Sequence, residues 1–123
     1  QAGNLLFLSS ALATDNKGHF PEALKVNPNW PWYEKYEKPI IQQMDYILGN
    51  AEKIVQAAGG RGFDNLVRRQ CFHTDYDEFI LTWGVWMSKY DHDAPASTTI
   101  EEANTPLPVP GATMMLDLWA YLP

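Results

Sequence analysis

The sequence predicts an α+β domain, a small mixed sheet covered on one face by two helices. Three observations predict it. Pro39 to Ala58 repeats its apolar residues with helical spacing, a second helical stretch starts at Asp75, and four short strand-type runs are interleaved with these two. At 123 residues the chain is expected to form one domain spanning 1–123, able to bury roughly two-thirds of the surface of its unfolded form.

The first strand is read from Leu5-Leu6-Phe7-Leu8-Ser9-Ser10, an apolar run with few helix signals. Asp15-Asn16-Lys17-Gly18 is a turn by composition. Residues 21 to 39 contain Pro21, Pro28, Pro31 and Pro39, with Trp30, Trp32, Tyr33 and Tyr36 between them. So many prolines exclude a long helix or a central strand. The rings are expected to cover something: the edge of the domain's own core, a subunit interface or the mouth of a ligand site.

Pro39 to Ala58 is the clearest element. Ile40, Ile41, Met44, Ile47, Leu48, Ala51, Ile54, Val55 and Ala58 fall at i, i+3, i+4, i+7. Pro39 suits the first turn and Gly59-Gly60 the C-terminal stop. Leu66 to His73 reads as the second strand. Asp75 reads as a helix N-cap with Glu78 as its capping-box partner, opening a helix to about Tyr90 with the stripe Phe79, Trp83, Trp86, Tyr90. Ser97 to Ala103 and Thr113 to Ala120 are the remaining strands. Two helices cover only one sheet face, and no element is left for the other, so self-association is expected on physical grounds.

Net charge is −6. Without a basic stripe, nucleic acid is not expected as a partner, because phosphate neutralisation supplies most of that affinity. No apolar run approaches the ~20 residues that span a bilayer, so no membrane partner is expected. No basic segment leads into an apolar one as in a signal peptide, and the single Cys71 permits no internal disulfide, so a cytoplasmic setting is expected. His19, His73 and His92 have no tight ligand spacing, and neither a metal nor another cofactor is expected.

Three stretches resemble the Rid family (YjgF-like reactive-intermediate deaminases). Gly3 to Ala11 is similar to the family strand G-n-l-v-y-v-S-G-q. Gln43, Asn50 and Ile54-Val55-Gln56-Ala57-Ala58-Gly59 resemble its Q…N…i-L-x-a-A-G helix. Asp64 to Phe79 resembles d-v-v-k-x-t-v-y-l-x-D-x-x-d-F, and Pro95-Ala96-Ser97-Thr98 stands where the family has P-A-R-S. The resemblance implies a chorismate-mutase-like fold (bacillus type) and a homotrimer whose sheets form a central barrel with clefts between subunits. It implies hydrolysis of enamines and imines, with the motif arginine gripping a substrate carboxylate and a last-strand carboxylate steering water.

The departures bear on the substrate. Ser97 replaces the arginine, and a hydroxyl cannot form a charge-assisted fork. Ser10 replaces the family glycine and Ala11 its glutamine, which reshapes the cleft. The proline- and aromatic-rich segment is longer than the family connection.

Asp117 is the foremost candidate catalytic residue. It alternates with Met115 and Trp119 on one strand face, where partial desolvation suits proton transfer. It takes the place of the family carboxylate as a shorter side chain; the other reading is an interface ion pair with Arg68 or Arg69. Ser9 is a second catalytic candidate. Ser10, Ser97 and Thr99 are candidate substrate-binding hydroxyls, which could equally satisfy sheet-edge backbone groups. Arg68 and Arg69 point to opposite faces, and Arg69 is a candidate displaced anion anchor or an interface salt-bridge residue. Trp30 and Trp32 are candidates for stacking on a flat ligand. Cys71 reads as a small core residue and His73 as a strand-end residue, too far apart for a nucleophilic pair.

The expectation is a hydrolase or deaminase of the Rid type acting on an unsaturated nitrogen-containing or ring-derived small metabolite, and not a standard 2-imino-acid deaminase. The alternative is a non-catalytic trimeric small-molecule-binding protein.

Overall fold

A computed structural model describes residues 1–25, 38–102 and 106–123. The four strands are β1 (Leu5–Ala11), β2 (Leu66–His73), β3 (Ala96–Glu101) and β4 (Met114–Tyr121), and the helices are α1 (Pro39–Ala57) and α2 (Phe79–Met87). In space the strands run β1-β4-β2-β3. β4 is antiparallel to both neighbours and β2 is parallel to β3, so the sheet is mixed. The expected α+β architecture is what the chain adopts.

Helix α1 starts where Pro39 can spare its missing N–H and ends in a Schellman motif. Gly59 adopts φ 93, its N–H donates to Gln56 O, and the Gly60 N–H donates to Val55 O. Ile40, Met44, Ile47, Leu48, Ala51 and Val55 are buried as the stripe predicts. Ile54 is not; it is half exposed, because it lies at the edge of the apolar arc.

Helix α2 differs from its expected form at both ends. The Asp75 side chain accepts from the Asp77 N–H at 2.9 Å, and Tyr76–Glu78 form a 3₁₀ turn before α2 begins at Phe79. Thus the carboxylate caps two residues on, not three, and the first turn is tighter than a capping box requires. The helix stops at Met87, short of Tyr90. Trp86 is buried, while Phe79, Trp83 and Tyr90 are only partly covered.

Strand alternation sets the two sheet faces. Met114, Leu116, Leu118 and Ala120 of β4 and Leu66, Arg69, Cys71 and His73 of β2 lie under the helices, all buried. On the opposite face Phe7 pairs in register with Trp119 and Leu5 with Tyr121. The Phe7 and Trp119 rings meet edge-on at 5.8 Å, and Arg68 lies over the Trp119 ring at 4.9 Å. Phe7 and Tyr121 are each 47% exposed and Trp119 38%. Among the described residues nothing covers this apolar face. No described helix is long and apolar enough to cross a membrane.

Candidate functional site

Strand β1 is interrupted where the site candidates stand. Its pairing with β4 shifts register between Leu8 and Ala11, which places Ser9 and Ser10 in a bulge. Ser10 adopts φ 53 and is the only non-glycine residue with positive φ among those described. A left-handed conformation costs a side-chain-bearing residue about 1 kcal/mol. From it the Ser10 N–H donates to Asp117 Oδ1 at 2.6 Å. Asp117 projects from the open face of β4, partly buried. Among the described residues neither Arg68 nor Arg69 forms an ion pair with it.

Beside the bulge lies a cleft of about 840 Å³ between β1 and the flank of α1, within the usual range for small-molecule sites. Ser9, Ser10, Thr14, Tyr46, Asn50 and Lys53 supply its polar groups. Asp15 also lines it, but its carboxylate accepts the Lys17 and His19 N–H groups at 2.8 and 2.9 Å. Those backbone bonds, His19 first, hold its pKa below the usual value. Tyr46, Asn50, Lys53 and Ile54 were not read as site residues from the sequence. The one signal was Ile54 itself, an apolar residue at the margin of the α1 stripe.

The other candidates lie elsewhere. Ser97 pairs in register with Arg69 and Thr99 with Cys71, on β3 at the far edge of the sheet. With strands about 4.8 Å apart, roughly 14 Å separates the two edge strands. The faces differ too: Asp117 is opposite Gln70, whereas Arg69 is opposite Leu118. Within one chain the candidates therefore form two groups, Ser9, Ser10 and Asp117 in one, Ser97, Thr99 and Arg69 in the other. Trp30 and Trp32 lie outside the described residues.

Arg69 is fully buried. Its Nε donates to Ser97 Oγ at 2.9 Å, and its guanidinium sits 5.4 Å from the Trp83 ring centre and 4.9 Å from that of Trp86. The ring faces attract the charge but accept few of its hydrogens. Burial lowers its pKa, with Cys71 and Tyr90 opposing. Among the described residues of one chain Arg69 has no acidic partner; its side chain lies in the core because β2 parity turns it toward α2.

Cys71 is the core residue expected, but its distance from His73 corrects the sequence reading. Both are buried, and Cys71 Sγ lies 3.0 Å from His73 Nε2, closer than strand spacing alone suggests because the side chains lean along the strand. Thr82 Oγ1 lies 3.2 Å from the same nitrogen. Burial raises the Cys71 pKa to about 12 and, with a smaller contribution from Arg69, lowers that of His73 to about 4. At neutral pH the pair is an uncharged thiol and imidazole, unsuited to nucleophilic catalysis. Among the described residues no group of three or more His, Cys, Asp or Glu is placed to hold a metal ion.

No family model matches the sequence, and no curated protein matches it. Solved structures do. A Klebsiella pneumoniae protein superposes with a TM-score of 0.80 at 21% identity, over 100% of this chain and 96% of its own. RidA from an Antarctic Psychrobacter gives 0.73 at 20%, over 99% and 84%. The YjgF gene product of E. coli gives 0.70 at 19%, over 98% and 83%. The chain has the YjgF/RidA fold. Full-length superposition at such low identity carries the fold expected from the three sequence stretches. Within the YjgF/RidA fold of this chain, Ser10 keeps a backbone conformation that suits glycine, and Ser97 bonds to a buried arginine.

Proposed function

We propose that the chain is one Rid-type domain working as a cytoplasmic homotrimer, a hydrolase of a small unsaturated nitrogen-containing or ring-derived metabolite. The observation that carries the reading is the Asp117 carboxylate on the open sheet face, held by the N–H of Ser10, which itself lines the β1–α1 cleft. Holding a carboxylate at the cost of a strained backbone is unusual outside functional sites. In this reading Asp117 orients water and takes its proton, while Ser9 and Ser10 hold the substrate. Ser97 and Thr99, at the opposite sheet edge, would join them from a neighbouring subunit, and the exposed Phe7, Trp119 and Tyr121 support such an association.

The substrate would not be a standard 2-imino acid. Ser97 supplies a neutral hydroxyl already committed to Arg69, and the guanidinium behind it is buried. Lys53 lines the cleft but offers one point charge rather than a planar fork. The test compares hydrolysis and ligand binding by the intact protein and Asp117→Asn, using imines with and without an α-carboxylate. Turnover of the carboxylate-free imine, lost in the variant with binding kept, supports the enzyme. Binding with no turnover in either protein favours a binding protein.

A further inference from the structure

Among the described residues, four hydrogen-bond donors end under α2 without an acceptor. They are Nη1 and Nη2 of Arg69, Nε1 of Trp86 and the hydroxyl of Tyr90. They are contiguous, since the guanidinium lies 4.9 Å from the Trp86 ring centre and the Trp86 and Tyr90 rings are 5.0 Å apart. Arg69 and Trp86 are wholly buried. Buried polar groups in native proteins are almost always paired, so four orphan donors around one cation call for an occupant.

The donor inventory selects its chemistry. Guanidinium and indole can only donate. Around Arg69 the side chains of Cys71, His73, Thr82, Trp83 and Ser97 carry no negative charge at neutral pH, while the carboxylate of Asp64 acts on the cluster from the Tyr90 side. Ser97 Oγ already accepts from Arg69 Nε. A water would accept from two donors, but it would leave the charge uncompensated and would need acceptors for its own hydrogens. Among the unpaired atoms only His73 Nδ1 and the Tyr90 oxygen could serve. An acceptor-only anion satisfies both the donors and the charge. Tyr90 also lines a surface cleft of about 290 Å³ with Phe63, Asp64, His92 and Asp93.

We propose that Arg69, Trp86 and Tyr90 form a buried site for a small monoanion, either a free halide or the carboxylate of a short acid. The site is separate from the β1–α1 cleft and does not depend on the hydrolase reading.

Thermal midpoints in sodium chloride, sodium formate and sodium gluconate at equal ionic strength test it. The intact protein is expected to be stabilised saturably by chloride or formate over the bulky gluconate. A larger effect of chloride marks a free halide, and a larger effect of formate marks a carboxylate. Tyr90→Phe should weaken the apparent affinity roughly tenfold, and Arg69→Met should abolish the anion effect. Equal midpoints in the three salts, or an unchanged anion effect in Arg69→Met, would overturn the proposal. Should Arg69→Met fail to fold, a bromide-soaked crystal decides: anomalous density between Arg69 and Tyr90 supports the site, and ordered water alone there overturns it.

Discussion

The Ser10 N–H reaches Asp117 Oδ1 at 2.6 Å from a left-handed backbone, so a strained residue on one edge strand positions a carboxylate on its neighbour. Two substitutions separate the strain from the bond. Ser10→Gly relieves the conformation while keeping the N–H, and stability to urea should rise by about 0.5–1 kcal/mol, provided the native backbone is retained. A fall in stability would mean that the serine side chain makes contacts that outweigh its strain.

Asp117→Asn keeps the shape and removes the charge. If Asp117 is the general base, kcat should fall about 100-fold or more while ligand binding changes little. A variant with undiminished turnover would remove Asp117 from the chemistry.

His73 predicts a pH dependence. Its folded pKa is about 4, below its ordinary 6.5, so the unfolded chain takes up a proton first as the pH falls. The associated stability is fully present above about pH 6.5, declines through the window and is lost below about pH 4, amounting to about 3 kcal/mol. Urea titrations from pH 7.5 to 4 should show this slope, and His73→Gln should flatten it. A slope unchanged in the variant would assign the dependence to other groups.

Much of the fold was legible because it rests on local pattern. Met114, Leu116 and Leu118 alternate with Met115, Asp117 and Trp119 along the last strand, the α1 stripe repeats with helical period, and Pro39 and Gly59 mark its ends. What was not legible depends on tertiary geometry. Parity shows that Arg68 and Arg69 face opposite ways, but only the position of α2 decides which is buried. The Cys71–His73 contact depends on side-chain lean, and the positive φ of Ser10 on a bulge that the β1 residues alone do not announce. Of the site, the Asp117–Ser10 partnership could not be read, because 107 residues separate its members. Lys53 escaped notice, and Asn50 was noted only in the family helix motif, because both sit on the flank of α1, outside its apolar stripe.

Gln43 is a buried side chain with every bond made. Its Nε2 donates to Leu24 O and Gly111 O at 3.2 Å each, and its Oε1 accepts from the Thr113 N–H and hydroxyl at 3.0 and 3.1 Å. Gln43→Leu keeps much of the volume but strands those partners, and should cost about 2–4 kcal/mol in chemical denaturation. A loss under 1 kcal/mol would show that water replaces the amide.

The uncovered sheet face predicts association. Sedimentation of the intact protein should show a species well above the 14.0 kDa monomer, and Trp119→Glu should shift it toward monomer by burying an unpaired charge. A monomeric intact protein would remove the shared cleft from the account.

The most direct test of the central claim supplies freshly generated 2-iminopropanoate and a carboxylate-free imine to the intact protein, following each against its uncatalysed hydrolysis. The account predicts acceleration of the carboxylate-free imine, abolished in Asp117→Asn, and no acceleration of 2-iminopropanoate. Hydrolysis of 2-iminopropanoate well above background would contradict it and place an anion anchor in the cleft, with Lys53 the first residue to replace.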